Sequence, residues 1–323
     1  MTPKVSVIIP IYNVSQYIER CARHLFEQTL AEIEFIFVND CTPDDSMEIL
    51  QRVLGDYPNQ RYKVTVINHE TNQGLACSRI DGIKIAKGKY LAHCDSDDWV
   101  DTDLYEKLYL KAEETGADIT ICDFVCEYTS GHASEKMITD FDCSPREALE
   151  NMHNRSFYCM VWRALFNRDF VFSHNLLPLP HVDMWEDTCV MLPAFYFANK
   201  IAKVNDSVCH YFINDQSMCA NSARPKLYED RKATISHLER FFADKIDFDA
   251  AMLITFWKLL AKSYLLTSSG FDPKRWQKEY QETHKYILQI RSIPSSLRCL
   301  YKITTVTTLP IRVLMWLKKT ITV

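Results

Sequence analysis

Glycine is scarce in this chain. Of 323 residues only 7 are glycine, and all of them except Gly270 lie at or before Gly131. The tight backbone turns are therefore expected in the first part, followed by a helix-rich second part with longer loops. Paired cysteines are missing as well. Twelve cysteines are present, but no CxxC pair occurs and most sit inside apolar runs. That argues against a zinc site and for reduced, buried thiols. There is no excess of positive charge, with 37 Lys and Arg against 42 Asp and Glu, so no nucleic-acid partner is expected. Met1-Thr2-Pro3-Lys4-Val5 has no charged leader ahead of an apolar segment, and the expected location is cytoplasmic. No internal repeat or low-complexity stretch is evident. What is present is an apolar fraction of 47%, ample for a sizeable core. The length suits one large domain with additions, or two domains.

The first ninety residues alternate. Lys4–Pro10 is a β-branched run that reads as a buried strand closed by proline, and Gln16–Thr29 carries apolar residues at helical spacing. Glu34–Val38 is a second strand, ending in the polar turn Asn39–Ser46 that opens a helix over 47–54. Lys63–Ile67 is a third strand, Asn72-Gln73-Gly74 turns into a helix around 76–86, and Gly88 is read as its end. Such alternation predicts a mostly parallel sheet with helices on both faces, whose ligands bind at the carboxyl ends of the strands. Tyr12, Asp40 and Asp95–Asp98 all fall at such ends.

After the strand Lys89–Ala92 come three carboxylates in four residues, Asp95, Asp97 and Asp98. Two readings compete. Like charges this close repel, so a hard divalent cation, Mg²⁺ or Mn²⁺, would compensate them. Alternatively the turn is an acidic cap on the next helix. Further on, Glu186-Asp187 opens another helix, again either as dipole decoration or as a chemical pair.

Four stretches stand together in order: Val5–Asn13, Val38–Ser46, Asn72-Gln73-Gly74-Leu75 and Asp95-Ser96-Asp97-Asp98-Trp99. They resemble family 2 glycosyltransferases of the GT-A fold over about residues 4–220. The resemblance implies an α/β fold with a helical extension, a nucleotide-sugar donor (a UDP-sugar) and a glycan or lipid-linked acceptor at the inner membrane face. Pro10, Ile11, Tyr12 and Asn13 would pack on the nucleotide, and Asp40 would hydrogen-bond the base. Arg79 would stand near the donor, its other reading being a solvated helix residue. Asp95-Ser96-Asp97 would be the DxD motif, with Asp97 on the Mn²⁺ or Mg²⁺ ion and Asp95 against the donor or the ion. Asp187 would be the base that deprotonates the acceptor, with Glu186 in support, giving inversion. His210 could touch phosphate or metal, or simply pack beside aromatics. The segment His210–Ser217 would close over the donor.

The chain departs from the family pattern in places. Ala164 stands where a lysine is usual, with Arg163 as its substitute. Cys41 stands where glycine is frequent, which implies that this loop needs no positive φ. The expected organisation is a catalytic domain over 1–222, a helical extension over 223–290 and a basic tail over 291–323. The tail has six basic and no acidic residues, and Pro310 and Arg312 interrupt its apolar run. It is too short to span a bilayer, so it either lies on an anionic membrane surface or packs on the protein. Two other functional classes remain in view. A nucleotidyltransferase would show a Gly-rich loop after the first strand, where Pro10-Ile11-Tyr12-Asn13 has no glycine. A non-catalytic nucleotide-sugar-binding protein would not require the intact carboxylates.

Overall fold

The computed structural model describes residues 2–58, 62–128, 133–139, 141, 143–155, 159–213, 225–267 and 270–321. The chain divides into two compact units, residues 1–146 with 158–214, and residues 147–157 with 215–323.

In the first unit the elements run β1 (Val5–Ile11), α1 (Ile18–Phe26), β2 (Ile33–Asn39), α2 (Ser46–Gly55), β3 (Lys63–Asn68), α3 (Leu75–Ile85), β4 (Tyr90–His93), β5 (Trp99–Val100), α4 (Leu104–Thr115), β6 (Ile119–Tyr128) and β7 (Glu135–Met137). α5 (Pro145–Glu150) follows, then β8 (Ala164–Asn167), α6 (Arg168–Ser173), α7 (Glu186–Phe197) and β9 (Ile201–Ile213). One sheet runs β3-β2-β1-β4-β8-β6-β9-β5, with β7 also on β6. Its first four strands are parallel. β8 lies antiparallel to β4 and β6, whereas β9 is parallel to β6, so the second half is mixed. β1 is buried along its whole length, as a strand covered by helices on both faces must be. Val5, Val7, Ile9 and Ile11 join one core cluster with Cys21 and Leu25 of α1, Leu50 and Val53 of α2, and Leu104 and Leu108 of α4.

Several sequence expectations shift here. β1 continues one residue past Pro10. Pro10 lies beyond Ile8, the last residue paired with β4, so its missing N–H breaks no bond on that side. α3 ends at Ile85, and Gly88 does not cap it. The Gly88 N–H donates to Ser6 Oγ at 2.7 Å, and a Cβ there would stand 2.5 Å from the Ser6 nitrogen. Glycine is needed for close approach, not for a turn. β6 went unread although Ile-Thr-Ile-Cys-Asp-Phe-Val-Cys carries the β-branched and aromatic signal. β9 runs to Ile213, so His210 and Phe212 lie inside a strand and not after one. Residues 205–207 bulge out of the β6 register, which shifts at Cys122/Asp123. Asp215-Gln216-Ser217 lies outside the described residues. The described cysteines are all free thiols, and only Cys41 and Cys299 are exposed, as expected for reduced, buried sulfur.

The second unit is helical: α8 (Pro225–Ala243), α9 (Ala251–Ser263), α10 (Pro273–Lys278), α11 (Ser295–Thr304) and α12 (Leu309–Ile321). Trp276 is fully buried at its centre. Asp272 caps α10, accepting from Arg275 N at 2.9 Å, with Pro273 in the first turn. Lys262 is buried against the Trp276 ring, 4.2 Å from its centroid, and donates to the Glu279 carbonyl at 3.0 Å. Burial lowers its pKa to about 7. In α12, Ile311 and Met315 are buried while Leu309, Val313 and Trp316 are exposed. Among the described residues no helix is long and apolar enough to cross a membrane.

Candidate active site

β4 ends at His93, and the chain turns back at once, with the Asp98 N–H bonding the Asp95 carbonyl at 3.1 Å. In this turn Ser96 and Asp98 are buried, while Asp95 and Asp97 are half-exposed. The turn is pinned from within. Ser96 Oγ donates to the Pro10 carbonyl at 2.7 Å, and Asp98 Oδ1 accepts from the Phe212 N–H of β9 at 2.8 Å. Asp98 Oδ2 is buried and has no hydrogen-bond partner among the described residues. Burial, with repulsion from Asp97 and Asp95, pushes the Asp98 pKa well above the carboxylate range.

Beneath the turn lies Arg79 of α3, 1% exposed, so the reading of a solvated helix residue is overturned. Its Nη2 donates to Asp95 Oδ1 at 2.7 Å, and its Nε lies 3.5 Å from Glu186 Oε1. Burial opposes the charge, but Asp95, Glu186 and Asp187 together hold the guanidinium ionised. Arg79 Nε and Nη1 have no hydrogen-bond partner among the described residues. Beside it the buried His93 is kept neutral, by burial first and then by Arg79.

Glu186 and Asp187 open α7, directly after Trp185 in the left-handed region at φ 68°. Burial raises the pKa of both. For Glu186, repulsion by Asp187 adds to burial and carries it well above its ordinary value. For Asp187, Arg79 and the bond from Glu186 pull back against burial. The two groups are neighbours and titrate as a pair. Asp187 Oδ1 is buried and lacks a hydrogen-bond partner among the described residues.

Asp40, at the end of β2, is buried and looks inward. Oδ1 accepts from Gln73 N at 2.7 Å and meets His69 Nδ1 at 2.7 Å, and Oδ2 accepts from Gly74 N at 2.8 Å. It thereby fixes the loop that starts α3, the helix that carries Arg79. Asp183 holds the same helix start from the other side, accepting from Ala76 N at 3.2 Å. Gly74 between them has φ 94°, and a Cβ there would lie 2.5 Å from Asp183 Oδ1. No residue other than glycine fits this position without strain.

At the end of β1 Pro10 and Ile11 are buried, while Tyr12, which opens the loop that follows, is 49% exposed. Asn13 adopts φ 56°, and its N–H donates to Thr42 Oγ1 at 2.8 Å. Cys41 adopts φ 55°, so the expectation that this loop avoids positive φ is wrong. The loop conformation persists without glycine, held by Thr42 and Asn39, whose Oδ1 accepts from Thr42 N at 2.9 Å. Arg163 does not replace the lysine missing at 164. It is buried in the sheet and donates from Nε to the Cys122 carbonyl at 2.8 Å and from Nη1 to Thr139 Oγ1. His210 stacks flat on Trp99 at 4.9 Å between ring centroids. Its nitrogens face Glu127 Oε1 at 2.9 Å and Asp101 Oδ1 at 3.2 Å. Arg20, Asp183 and His69 carry no sequence signal, since their partners are tens of residues away.

Acidic side chains thus converge at strand ends on one edge of the parallel half, facing a second carboxylate pair on α7 across a buried arginine. The sheet with its flanking helices is that of a GT-A glycosyltransferase fold. The sequence model for glycosyl transferase family 2 matches residues 6–171, and the chain belongs to this family. It is 32% identical over 255 residues to the uncharacterized glycosyltransferase EpsJ of Bacillus subtilis, which covers 77% of this chain and 70% of that protein. In fold it is similar to TarS of S. aureus, with TM-score 0.66 and 16% identity. That match covers 95% of this chain and 54% of the TarS chain, so this chain spans about half of it. A shorter TarS, residues 1–349 in complex with UDP-GlcNAc, matches with TM-score 0.63 and 17% identity over 93% of this chain and 87% of that one. The mannosyltransferase PcManGT of Pyrobaculum calidifontis, in complex with GDP-Man and Mn²⁺, matches with TM-score 0.52 and 16% identity over 98% and 84%.

Proposed function

We propose that this glycosyltransferase moves a sugar from a UDP-sugar to a hydroxyl of a glycan or lipid-linked acceptor, with inversion and with Mn²⁺ or Mg²⁺, in bacterial surface polysaccharide synthesis. The carrying observation is the buried arrangement Asp95–Arg79–Glu186/Asp187, in which Asp187 Oδ1 has no hydrogen-bond partner among the described residues. Asp187 Oδ1 accepts the proton of the acceptor hydroxyl. The acceptor oxygen then bonds to the anomeric carbon from the face opposite the nucleotide, and the bond to the diphosphate breaks, leaving UDP with the electron pair. One displacement without a protein nucleophile inverts the centre. Arg79 holds Asp95 towards the donor while keeping Asp187 basic but ionised.

Asp95 and Asp97 fit a hard divalent ion, since both offer carboxylate oxygens at the exposed side of the turn. Among the described residues no group of three His, Cys, Asp or Glu could hold a metal by itself, so an ion held by Asp95 and Asp97 would need oxygen ligands from the donor as well. When bound, such an ion stabilises the negative charge that develops on the leaving diphosphate. PcManGT, with its Mn²⁺ and GDP-Man, and TarS, with UDP-GlcNAc, support this reading by analogy. On this reading the enzyme works as a peripheral protein on the cytoplasmic face of the membrane, which the basic tail supports. A panel of UDP-sugars should be hydrolysed with Mn²⁺, and the activity should vanish in Asp97→Ala. Absence of any metal-dependent binding or turnover across the panel would overturn the proposal.

A further inference from the structure

Arg20 lies on α1, far in sequence from the acidic turn, yet its guanidinium sits 3.6 Å from the centroid of the Trp99 ring and 4.5 Å from that of Phe212. Its Nη2 donates to the main-chain carbonyl of Asp97 at 3.0 Å. Its Nε is buried with no hydrogen-bond partner among the described residues, so this single directed bond and the two ring faces fix the group. His210 also stacks on Trp99 and is clamped by Glu127 and Asp101. Phe212, the second ring under the guanidinium, also supplies the N–H that holds Asp98.

We propose that Arg20 is a positioning residue for the divalent ion, orienting Asp97 through its peptide carbonyl and countering the negative charge of the turn. This rests on the proposed metal role of Asp97. The physical case is geometric. The direction of the Asp97 carboxylate follows from the Asp97 backbone. Ser96 and Asp98 anchor the turn on either side of that residue, and Arg20 holds the Asp97 carbonyl. A planar guanidinium can stack on rings and donate in its own plane at once, whereas an ammonium cannot do both. An added positive charge beside Asp97 would by itself weaken cation binding. The orienting bond must therefore outweigh that repulsion, so the sign of the effect is a real test.

The test uses the full chain as wild type, Arg20→Met, Arg20→Lys and Asp97→Ala. Mn²⁺ affinity is read by electron paramagnetic resonance in the presence of UDP, and UDP affinity is read separately in chelator. Arg20→Met should weaken Mn²⁺ binding by roughly tenfold or more, as loss of an outer-shell partner does. Arg20→Lys should be weakened as well, because it keeps the charge and loses the geometry. UDP binding in chelator should stay unchanged in both. Wild-type Mn²⁺ affinity in Arg20→Lys, or in a folded Arg20→Met, overturns the role of Arg20 while leaving Asp97 as ligand. Wild-type affinity in Asp97→Ala overturns the metal reading and the inference together.

Discussion

Glu186 and Asp187 are adjacent buried carboxylic acids, and burial raises the pKa of both. For Glu186 the repulsion from Asp187 ranks ahead of the pull of Arg79, whereas for Asp187 Arg79 and the bond from Glu186 both act against burial. This separates the candidates for the base. Glu186→Gln keeps a neutral donor to Asp187, so kcat should stay within a few-fold of wild type. Asp187→Asn should lower kcat by about 10²–10⁴-fold, the usual contribution of a positioned base. Stability gives an independent reading. The native pKa of Glu186 lies above its unfolded value of 4.5. The folded chain therefore keeps a proton that the unfolded chain releases. That contribution is full below the unfolded value and is lost as pH rises through the native one. The melting temperature of Glu186→Gln should fall less than that of wild type as pH rises from acidic towards neutral. Parallel melting curves for the two would place the proton elsewhere. Single residues such as Asp40 and Arg79 were legible in the sequence as motif members. Their pairings were not, because His69 reaches Asp40 and Glu186 reaches Arg79 only through tertiary contact.

Among elements, the start of α3 does the most to arrange the site. Asp40 from β2 and Asp183 from before α7 grip its first N–H groups, and Gly74 sits between them at φ 94°. Gly74→Ala meets both a disfavoured backbone region and the Asp183 carboxylate, so it should destabilise the chain by about 1–3 kcal/mol. Because α3 carries Arg79, transfer should drop further than stability alone predicts. Chemical denaturation and steady-state kinetics on the same preparation check this, and a variant with wild-type values for both would sink the account. The strands of the parallel half were readable from their β-branched runs and the turns that close them. β6 and β8 pair with each other across a long intervening segment, a partnership that near neighbours along the chain do not signal. The extension of β9 was hidden by aromatic residues that look equally at home in a loop.

At the scale of the whole molecule, the remaining question is what faces the exposed apolar side of the tail. Leu309, Val313 and Trp316 are 66%, 47% and 63% exposed on α12, in a segment with basic but no acidic residues from Arg291 onward. On the membrane reading, the full chain should co-sediment with anionic vesicles, more weakly in high salt. Each basic side chain near the surface contributes about 1 kcal/mol to that attraction. A triple variant, Leu309→Ser, Val313→Ser and Trp316→Ser, should stay in the supernatant. Equal partitioning of variant and wild type would end the membrane proposal.

Local chemistry is enough to place a β-branched strand, a polar turn behind it and a carboxylate at the turn, because each depends on near neighbours along the chain. Hence the α/β sheet and the carboxylates at 40, 95–98 and 186–187 could be read directly. The protonation of those carboxylates could not, since it follows from burial and from an arginine brought in by another helix. Nor could the left-handed Cys41, the inward turn of Asp40, or the hold of Arg20 on Asp97. Those depend on which surfaces meet, and only the packed chain brings those surfaces together.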